Sequence, residues 1–245
     1  MSDSSEQLEY TDTEVSEEPV RFDVQGALEG AKKSIPIAVS VFAYGLVFGM
    51  LARQAGLSLL EALLMSGLVF AGASQFVALG LWSVSLPVGA IILTTLIVNL
   101  RHLLMGASIS PWFSRLPFAR AYGTLFFLSD ESWALLMGEF ARGKRNAAFL
   151  LGSGAALYVA WVCAALVGGT LGGVIQDPAQ WGLDFAITAI FIALLVGLWR
   201  GKQDLLPWIV AAIVATAAAH WLPGKWYILL GALAGSLIGA LRHAD

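Results

Sequence analysis

Residues 62–100 read ALLMSGLVFAGASQFVALGLWSVSLPVGAIILTTLIVNL and contain no Asp, Glu, Lys or Arg. A transmembrane helix needs about 20 consecutive apolar residues, so this stretch is long enough for two of them. Its polar side chains are few, and several stand well inside the two predicted spans. Polar groups in that position are costly unless they have partners, and they tend to mark a transport pathway.

The composition of the whole chain agrees with this stretch. Of the 245 residues, 58% are hydrophobic and 13% are charged, and the mean hydropathy is +0.76. A soluble domain carries about 25% charged residues, so the sequence predicts an all-α polytopic protein embedded in a lipid bilayer. It has no phosphate-cradling loop and no zinc-protease motif, and its histidines are scattered. We therefore expect no enzyme activity, no cofactor, no metal site and no nucleic-acid partner.

The predicted domain organisation has two parts. Residues 1–19 are acidic and lack apolar periodicity, which is typical of a disordered cytoplasmic tail. Residues 20–245 form a single transmembrane domain, beginning with a short amphipathic surface helix over 20–33.

Eight apolar segments follow the tail, and they predict about eight transmembrane helices. They lie at about 35–53, 62–82, 88–108, 121–139, 147–173, 183–200, 205–221 and 226–241. The fourth segment contains Asp130 and Glu131. If it re-enters instead of crossing the membrane, the number of spans falls to seven.

Two glycine patterns suggest how these helices are related. Gly80-Leu81-Trp82 and Gly197-Leu198-Trp199 each close an apolar segment, a faint sign of an internal repeat. Glycine also recurs at positions 231, 235 and 239, a spacing that permits close helix packing. Packing within the chain and packing on a partner membrane subunit both remain open.

The distribution of Lys and Arg predicts the orientation, because cytoplasmic loops carry an excess of these residues. With the N-terminus in the cytoplasm, nine of the 14 Lys and Arg fall on the inner side and four on the outer side. Arg101 is left within the membrane. We expect a multi-pass protein of the cell membrane with a cytoplasmic N-terminus.

Gln75, Asn99 and Asp130 stand close to the midpoints of three segments. Since a helix rises 1.5 Å per residue, they should lie within about 5 Å of one depth. Such a polar layer suits a substrate site, to which we add Ser74, the neighbour of Gln75. The alternative is hydrogen bonding that only joins helices.

Arg101 cannot lose its proton, so inside a membrane it needs an anionic partner. Asp130 and Glu131 are the candidates, and the pair is either structural or a receptor for a zwitterion. Asp184 is a candidate substrate contact or a helix cap. His102 is a candidate proton relay or a packed side chain.

Together these motifs resemble the large subunit of the branched-chain amino acid exporters, the azaleucine-resistance (AzlC-like) permeases. The resemblance covers about residues 22–241 and rests on five stretches. These are Phe22 to Gly49, Gly72-Ala73-Ser74-Gln75-Phe76, Asn99 to Gly106, Ser129-Asp130-Glu131-Ser132-Trp133, and Gly182-Leu183-Asp184-Phe185. It implies export of valine, leucine and isoleucine, with methionine as a further substrate. It also implies a small AzlD-like membrane subunit of about four spans and energy from an ion gradient.

The sequence therefore predicts a secondary transporter that works by alternating access around the polar layer. Two other functions stay open at this point. One is a membrane subunit that only scaffolds a partner, and the other is a channel for small neutral solutes.

Overall fold

The computed structural model describes residues 20–83, 85–174, 201–222 and 226–242, together with positions 185, 189, 192, 196 and 199. The predicted tail over 1–19, Asp184 and most of the segment 183–200 lie outside the described residues. The division into a tail and one transmembrane domain stays a prediction.

Nine α-helices make up nearly all of the described chain. They are α1 (Val24–Gln54), α2 (Leu59–Val69), α3 (Gly72–Gly80), α4 (Val88–Phe113), α5 (Phe118–Leu125), α6 (Asp130–Ala141), α7 (Ala148–Gly172), α8 (Leu205–Trp221) and α9 (Trp226–Arg242). Four stretches are long and apolar enough to cross a membrane, namely Val24–Gln54, Val88–Phe113, Ala148–Gly172 and Lys202–Trp221. The predicted all-α membrane class is confirmed.

α1 is one continuous helix of 31 residues, and Pro36 lies inside it. The side chain of Asp23 caps its start by accepting a hydrogen bond from the N–H of Gly26 at 2.8 Å. Asn146, just before α7, donates to the same carboxylate at 2.9 Å. These contacts hold the first turns against the rest of the protein. The prediction of a separate surface helix over 20–33 is therefore wrong.

α1 and α7 run parallel and touch along their whole length through glycines. A Cβ added at Gly30 would overlap the backbone carbonyl of Phe149, and one added at Gly49 would overlap that of Ala165. On the other helix, a Cβ at Gly168 would overlap the carbonyl of Leu46. The residue numbers of the contacting positions increase in the same direction along both helices, so α7 begins at the same end of the bundle as α1. The chain between the two helices therefore returns to that end.

The predicted single span over 62–82 is two helices that fold back on each other. The helix breaks at Phe70, whose φ of 39° is left-handed, so α2 and α3 point in opposite directions. Leu57 before α2 and Trp82 after α3 line the same cleft. In one straight helix these two residues would be roughly 37 Å apart. We call α2, α3 and their connection the first hairpin, with its tip at residues 70–73.

Tyr158 of α7 stabilises the break in the first hairpin. Its hydroxyl donates to the carbonyl oxygen of Gly67 at 3.0 Å, which satisfies an acceptor that the end of α2 leaves free. The ring of Phe70 also packs edge-on against Tyr158, with centroids 5.1 Å apart. A single aromatic side chain thus holds both the end of α2 and the strained residue after it.

The segment 121–139 also re-enters, which is one of the two alternatives that the sequence left open. Near the start of α5, the guanidinium of Arg120 lies 5.6 Å from the ring centroid of Phe22. After the end of α5, the ring of Phe127 packs against Tyr158 of α7. α6 then returns, and Glu139 near its end binds Lys33 of α1 at 2.7 Å. We call α5, α6 and their connection the second hairpin, with its tip at residues 126–131.

The two hairpins enter the bundle from opposite ends. The base of the first lies at the end of α1, where Arg53 donates to the carbonyl oxygen of Leu57 at 2.7 Å. The base of the second lies near the start of α1, at Lys33. The hairpin helices have 8 to 12 residues, hence lengths of about 12–18 Å, close to half of the ~30 Å hydrocarbon core. The tips therefore meet near the middle.

α4 fills the space beside both hairpins. Its side chain at Asn99 contacts Ser74 of α3, while Ser108 accepts a hydrogen bond from the indole N–H of Trp133 in α6 at 2.8 Å. Further along, Trp112 packs on Phe140 with ring centroids 4.4 Å apart. α4 thus reaches from the first hairpin to the second, and it extends through Pro111 to Phe113, beyond the predicted segment 88–108.

α8 and α9 form an antiparallel pair. A Cβ added at Gly231 would lie 2.8 Å from the Cβ of Ala215, and one at Gly235 would lie 2.9 Å from that of Ala211. The predicted close approach at these glycines is confirmed, and it occurs within the chain.

Candidate functional site

A cavity of about 140 Å³ lies where the tips of both hairpins meet α4. The first tip contributes residues 70–73, the second contributes Ser129, Asp130 and Glu131, and α4 contributes Arg101 and His102. An engineered cavity of about 150 Å³ holds benzene, so a branched aliphatic side chain is within the range of this one. We call it the central cavity.

Arg101 and Asp130 form an ion pair in the wall of the central cavity. The Nη1 atom of Arg101 lies 2.6 Å from Oδ2 of Asp130, and the side chains remain 33% and 47% exposed. The Nε–H of Arg101 is buried and meets no acceptor among the described residues. The pair therefore joins α4 to the second hairpin while leaving polar atoms of both residues free for a ligand.

Two helix N-termini face the central cavity, and they differ in charge. α3 begins at Gly72 without a side-chain cap, so its first N–H groups present a partial positive charge. α6 is capped by Ser129, whose side chain accepts from the N–H of Ser132, and its first turn carries Asp130 and Glu131. The cavity is thus positive on the side of the first hairpin and Arg101, and negative on the side of the second.

Apolar and aromatic side chains from α1, α3 and α7 complete the central cavity. They are Val41, Tyr44, Phe76, Leu157 and Trp161. Trp161 stacks on Phe48, with centroids 5.6 Å apart, and meets Phe76 edge-on at 6.3 Å. This cluster makes the wall rigid, because three rings fix one another.

A second space, which we call the side cleft, lies between α2, α3 and α4 and has a volume of about 360 Å³. Its lining includes Ser74, Gln75 and Asn99. The hydroxyl of Ser74 donates to Oδ1 of Asn99 at 2.6 Å, and the amide nitrogen of Gln75 lies 3.4 Å from the Ser66 hydroxyl. Gln75 is fully buried, and its Oε1 has no partner among the described residues. These contacts fix α3 against α4 and α2.

An ion network closes the base of the second hairpin against α1. Glu139 is 3% exposed, and its carboxylate binds Lys33 at 2.7 Å, Arg142 at 2.7 Å and Lys144 at 3.1 Å. Lys144, in the loop before α7, also binds Glu29 of α1. The hydrogen bonds that the Lys144 ammonium donates to the Glu29 and Glu139 carboxylates raise the pKa of Lys144 above its ordinary value. The network joins α1, α6 and the loop before α7.

The sequence of this chain is similar to those of known proteins. Residues 36–175, more than half of the chain, match the AzlC protein family. The chain belongs to the AzlC family. It is 30% identical over 220 residues to the inner membrane protein YgaZ of Escherichia coli K12, which covers 87% of this chain and 88% of YgaZ.

Two further relatives come from other organisms. The branched-chain amino acid transport protein AzlC of Bacillus subtilis is 27% identical over 213 residues, which is 85% of this chain and 81% of that protein. An uncharacterized membrane protein of Archaeoglobus fulgidus is 34% identical over 180 residues, covering 71% and 77%. No solved structure matches the chain. Family and relatives support a membrane transport role.

The candidate site residues of this AzlC protein fall into two groups. The central cavity collects Arg101, His102, Asp130 and Glu131. The side cleft collects Ser74, Gln75 and Asn99, which the sequence had placed in the same layer. The separation arises because consecutive residues of α3 face different sides. Asp184 lies outside the described residues, so its assignment stays a prediction.

Sequence reasoning missed the α7 side of the central cavity. Leu157 and Trp161 lie in an apolar run without a polar neighbour, so no local pattern set them apart. The backbone of the first tip was missed too. Gly72 and Ala73 were noted only as part of a motif, although they form the uncapped helix start.

Proposed function

We propose that this protein is a secondary transporter that exports branched-chain amino acids across the cell membrane. Valine, leucine and isoleucine are the expected substrates, and methionine is a further one. The observation that carries the proposal is the charge arrangement of the central cavity, which is complementary to a zwitterion with an apolar side chain. The printed name of the Bacillus subtilis relative supports the same substrate class.

In this proposal the carboxylate and the ammonium of the substrate each bind groups of opposite charge. The carboxylate meets Arg101 and the uncapped N-terminus of α3, since anions bind well at such helix ends. The ammonium meets Asp130 and Glu131. The aliphatic side chain lies against the apolar part of the wall, which Val41, Phe76 and Leu157 form.

The residues of the side cleft support the central cavity in this proposal. Ser74 and Asn99 bond to each other, and Gln75 is buried, so these residues set the position of the α3 N-terminus. If the substrate reaches the side cleft, the side-chain amide oxygens of Gln75 and Asn99 are further acceptors for its ammonium.

The hairpins supply the two gates that alternating access needs. Each tip ends at the central cavity and each base lies at an opposite end of the bundle, so movement of one hairpin opens one side. Discontinuous helices that meet at mid-membrane are typical of secondary transporters. The ion network at Glu139 is the closed inner gate if the N-terminus is cytoplasmic. His102 is a candidate proton relay for coupling.

The test is reconstitution of the purified protein in proteoliposomes, with and without its small AzlD-like subunit. Labelled leucine flux is then measured under an imposed proton gradient. Gradient-driven flux that saturates and is inhibited by excess valine supports the transporter. Flux that follows the leucine gradient without saturation indicates a channel. Absence of flux and of leucine binding in the complex indicates a scaffold and overturns the proposal.

A further inference from the structure

The indole of Trp161 is buried, yet its N–H group is unused. The residue is 5% exposed, and Nε1 meets no acceptor among the described residues. A buried Trp N–H nearly always has a hydrogen-bond partner, because leaving it unpaired costs roughly 1–3 kcal/mol. Trp161 lines the central cavity, so the missing acceptor can be a molecule bound there.

The other donors that line the central cavity indicate which acceptor is missing. The Nε–H of Arg101 is likewise buried and unpaired, and both residues line the same cavity. Gly72, at the uncapped start of α3, lies against the indole. A Cβ added there would be 3.0 Å from Cη2 of Trp161. An indole N–H, a guanidinium N–H and a helix N-terminus are all donors, and together they suit an anion with several lone pairs.

We propose that Trp161 is a substrate-binding residue whose Nε1–H donates a hydrogen bond to the carboxylate of the amino acid in the central cavity. This inference rests on the proposed function and adds a contact from α7, a helix for which the sequence predicted no site residue. It gives Trp161 two tasks. The ring face forms the apolar wall, and the ring edge recognises the head group.

Packing alone does not account for a tryptophan at this place. The stacking on Phe48 and the edge contact with Phe76 need an aromatic ring but no donor. Trp133 gives the comparison within the same chain, since its N–H is satisfied by the hydroxyl of Ser108 at 2.8 Å. Trp133 does not line the central cavity. In this comparison, the N–H of Trp133 stabilises the fold, whereas the N–H of Trp161 is left available for a ligand.

The test replaces Trp161 by Phe and, in a second variant, by β-(3-benzothienyl)alanine, which keeps the bicyclic shape but has sulfur in place of N–H. The full chain is purified with its small subunit in lipid nanodiscs. Binding of labelled leucine is measured together with the thermal midpoint of the unliganded protein. Competition by 3-methylbutylamine, which is leucine without its carboxylate, is measured in parallel.

We expect the isosteric variant to raise the Kd for leucine roughly ten- to a hundredfold, the loss typical of one hydrogen bond to a charged group. Competition by the amine and the midpoint of the unliganded protein should stay unchanged. The same replacement at Trp133 should give the reverse pattern, with a lower midpoint and an unchanged Kd.

Three outcomes overturn the inference. An unchanged Kd for leucine at position 161 means that a water molecule is the acceptor, and the proposed function then stands. A loss that is equal for leucine and for the amine, or that accompanies a lower midpoint, assigns Trp161 a structural role. Failure of the unmodified complex to bind leucine removes the proposed function and this inference together.

Discussion

The guanidinium of Arg101 in α4 lies 2.6 Å from the carboxylate of Asp130 at the tip of the second hairpin. This contact joins a membrane-spanning helix to a segment that ends in the middle of the bundle. A zwitterionic substrate offers a carboxylate and an ammonium. Its carboxylate can replace Asp130 as the partner of Arg101, and its ammonium can replace Arg101 as the partner of Asp130. In the proposed function, the ion pair therefore holds the hairpin against α4, and each of its members can instead bind one end of the substrate head group.

Breaking this pair should abolish transport. We expect Arg101→Ala or Asp130→Asn to reduce leucine efflux by roughly a hundredfold, since each variant loses a hydrogen bond to a charged group of the substrate, worth ~1.5–3 kcal/mol. The protein should remain inserted, because both side chains are partly exposed to the cavity. Efflux from proteoliposomes and the amount of inserted protein are measured together.

The exchanged pair, Arg101→Asp with Asp130→Arg, is the control for that prediction. It restores the contact between α4 and the hairpin but reverses its polarity relative to the N-terminus of α3. We expect recovery of thermal stability without recovery of transport. Normal leucine efflux in either single variant would remove these residues from the substrate site.

Gly72 should be sensitive to the smallest substitution. A Cβ at this position would lie 3.0 Å from Cη2 of Trp161, so Gly72→Ala must displace the indole or the start of α3. We expect transport to fall by about tenfold or more, since overpacking costs ~1–3 kcal/mol. Gly80→Ala on the same helix is the matched control, because nothing lies within 4 Å of its added Cβ. Equal efflux by the two variants would contradict the role of Gly72.

Much of the bundle could be predicted because apolar runs and their breaks are local properties of a sequence. The bounds of α8 agree with the predicted segment 205–221, and α7 differs from the segment 147–173 by one residue at each end. The direction in which a helix leaves a break is not local. It depends on Tyr158, which holds the end of α2 from 91 residues away.

The candidate site divides in the same way. Arg101 and Asp130 were predicted as partners because a permanent charge inside a membrane requires an opposite charge, and the structure brings them together. Gln75 was assigned by its depth alone, yet depth does not fix the direction of a side chain around the helix axis. Its helix therefore presents Ala73 to the central cavity and Gln75 to the side cleft.

The ion network at Glu139 should control the inner gate. Glu139→Gln removes the charge that holds Lys33, Arg142 and Lys144, while it keeps the shape of the side chain. We expect a loss of ~1–3 kcal/mol in stability, the cost of an unsatisfied buried group, and a shift toward the state that is open on this side. Labelling of a single cysteine at position 131 by a membrane-impermeant maleimide reports that state. In the Glu139→Gln variant, labelling from the inner side should be faster than in the parent protein. An unchanged labelling rate would contradict a gating role.

The re-entrant path of both hairpins is the geometry on which the other predictions depend, and cysteine labelling tests it directly. In a Cys163→Ser background, which removes the only cysteine, Ala55→Cys and Ser85→Cys flank the first hairpin, and Ser114→Cys and Gly143→Cys flank the second. Because each hairpin returns to the end from which it entered, the members of a pair should react with an impermeant maleimide from the same side of the membrane. The two pairs should react from opposite sides, since α4 crosses between them. Labelling of positions 55 and 85 from opposite sides would mean that residues 62–82 cross the membrane, and the central cavity could not then be built from two facing tips.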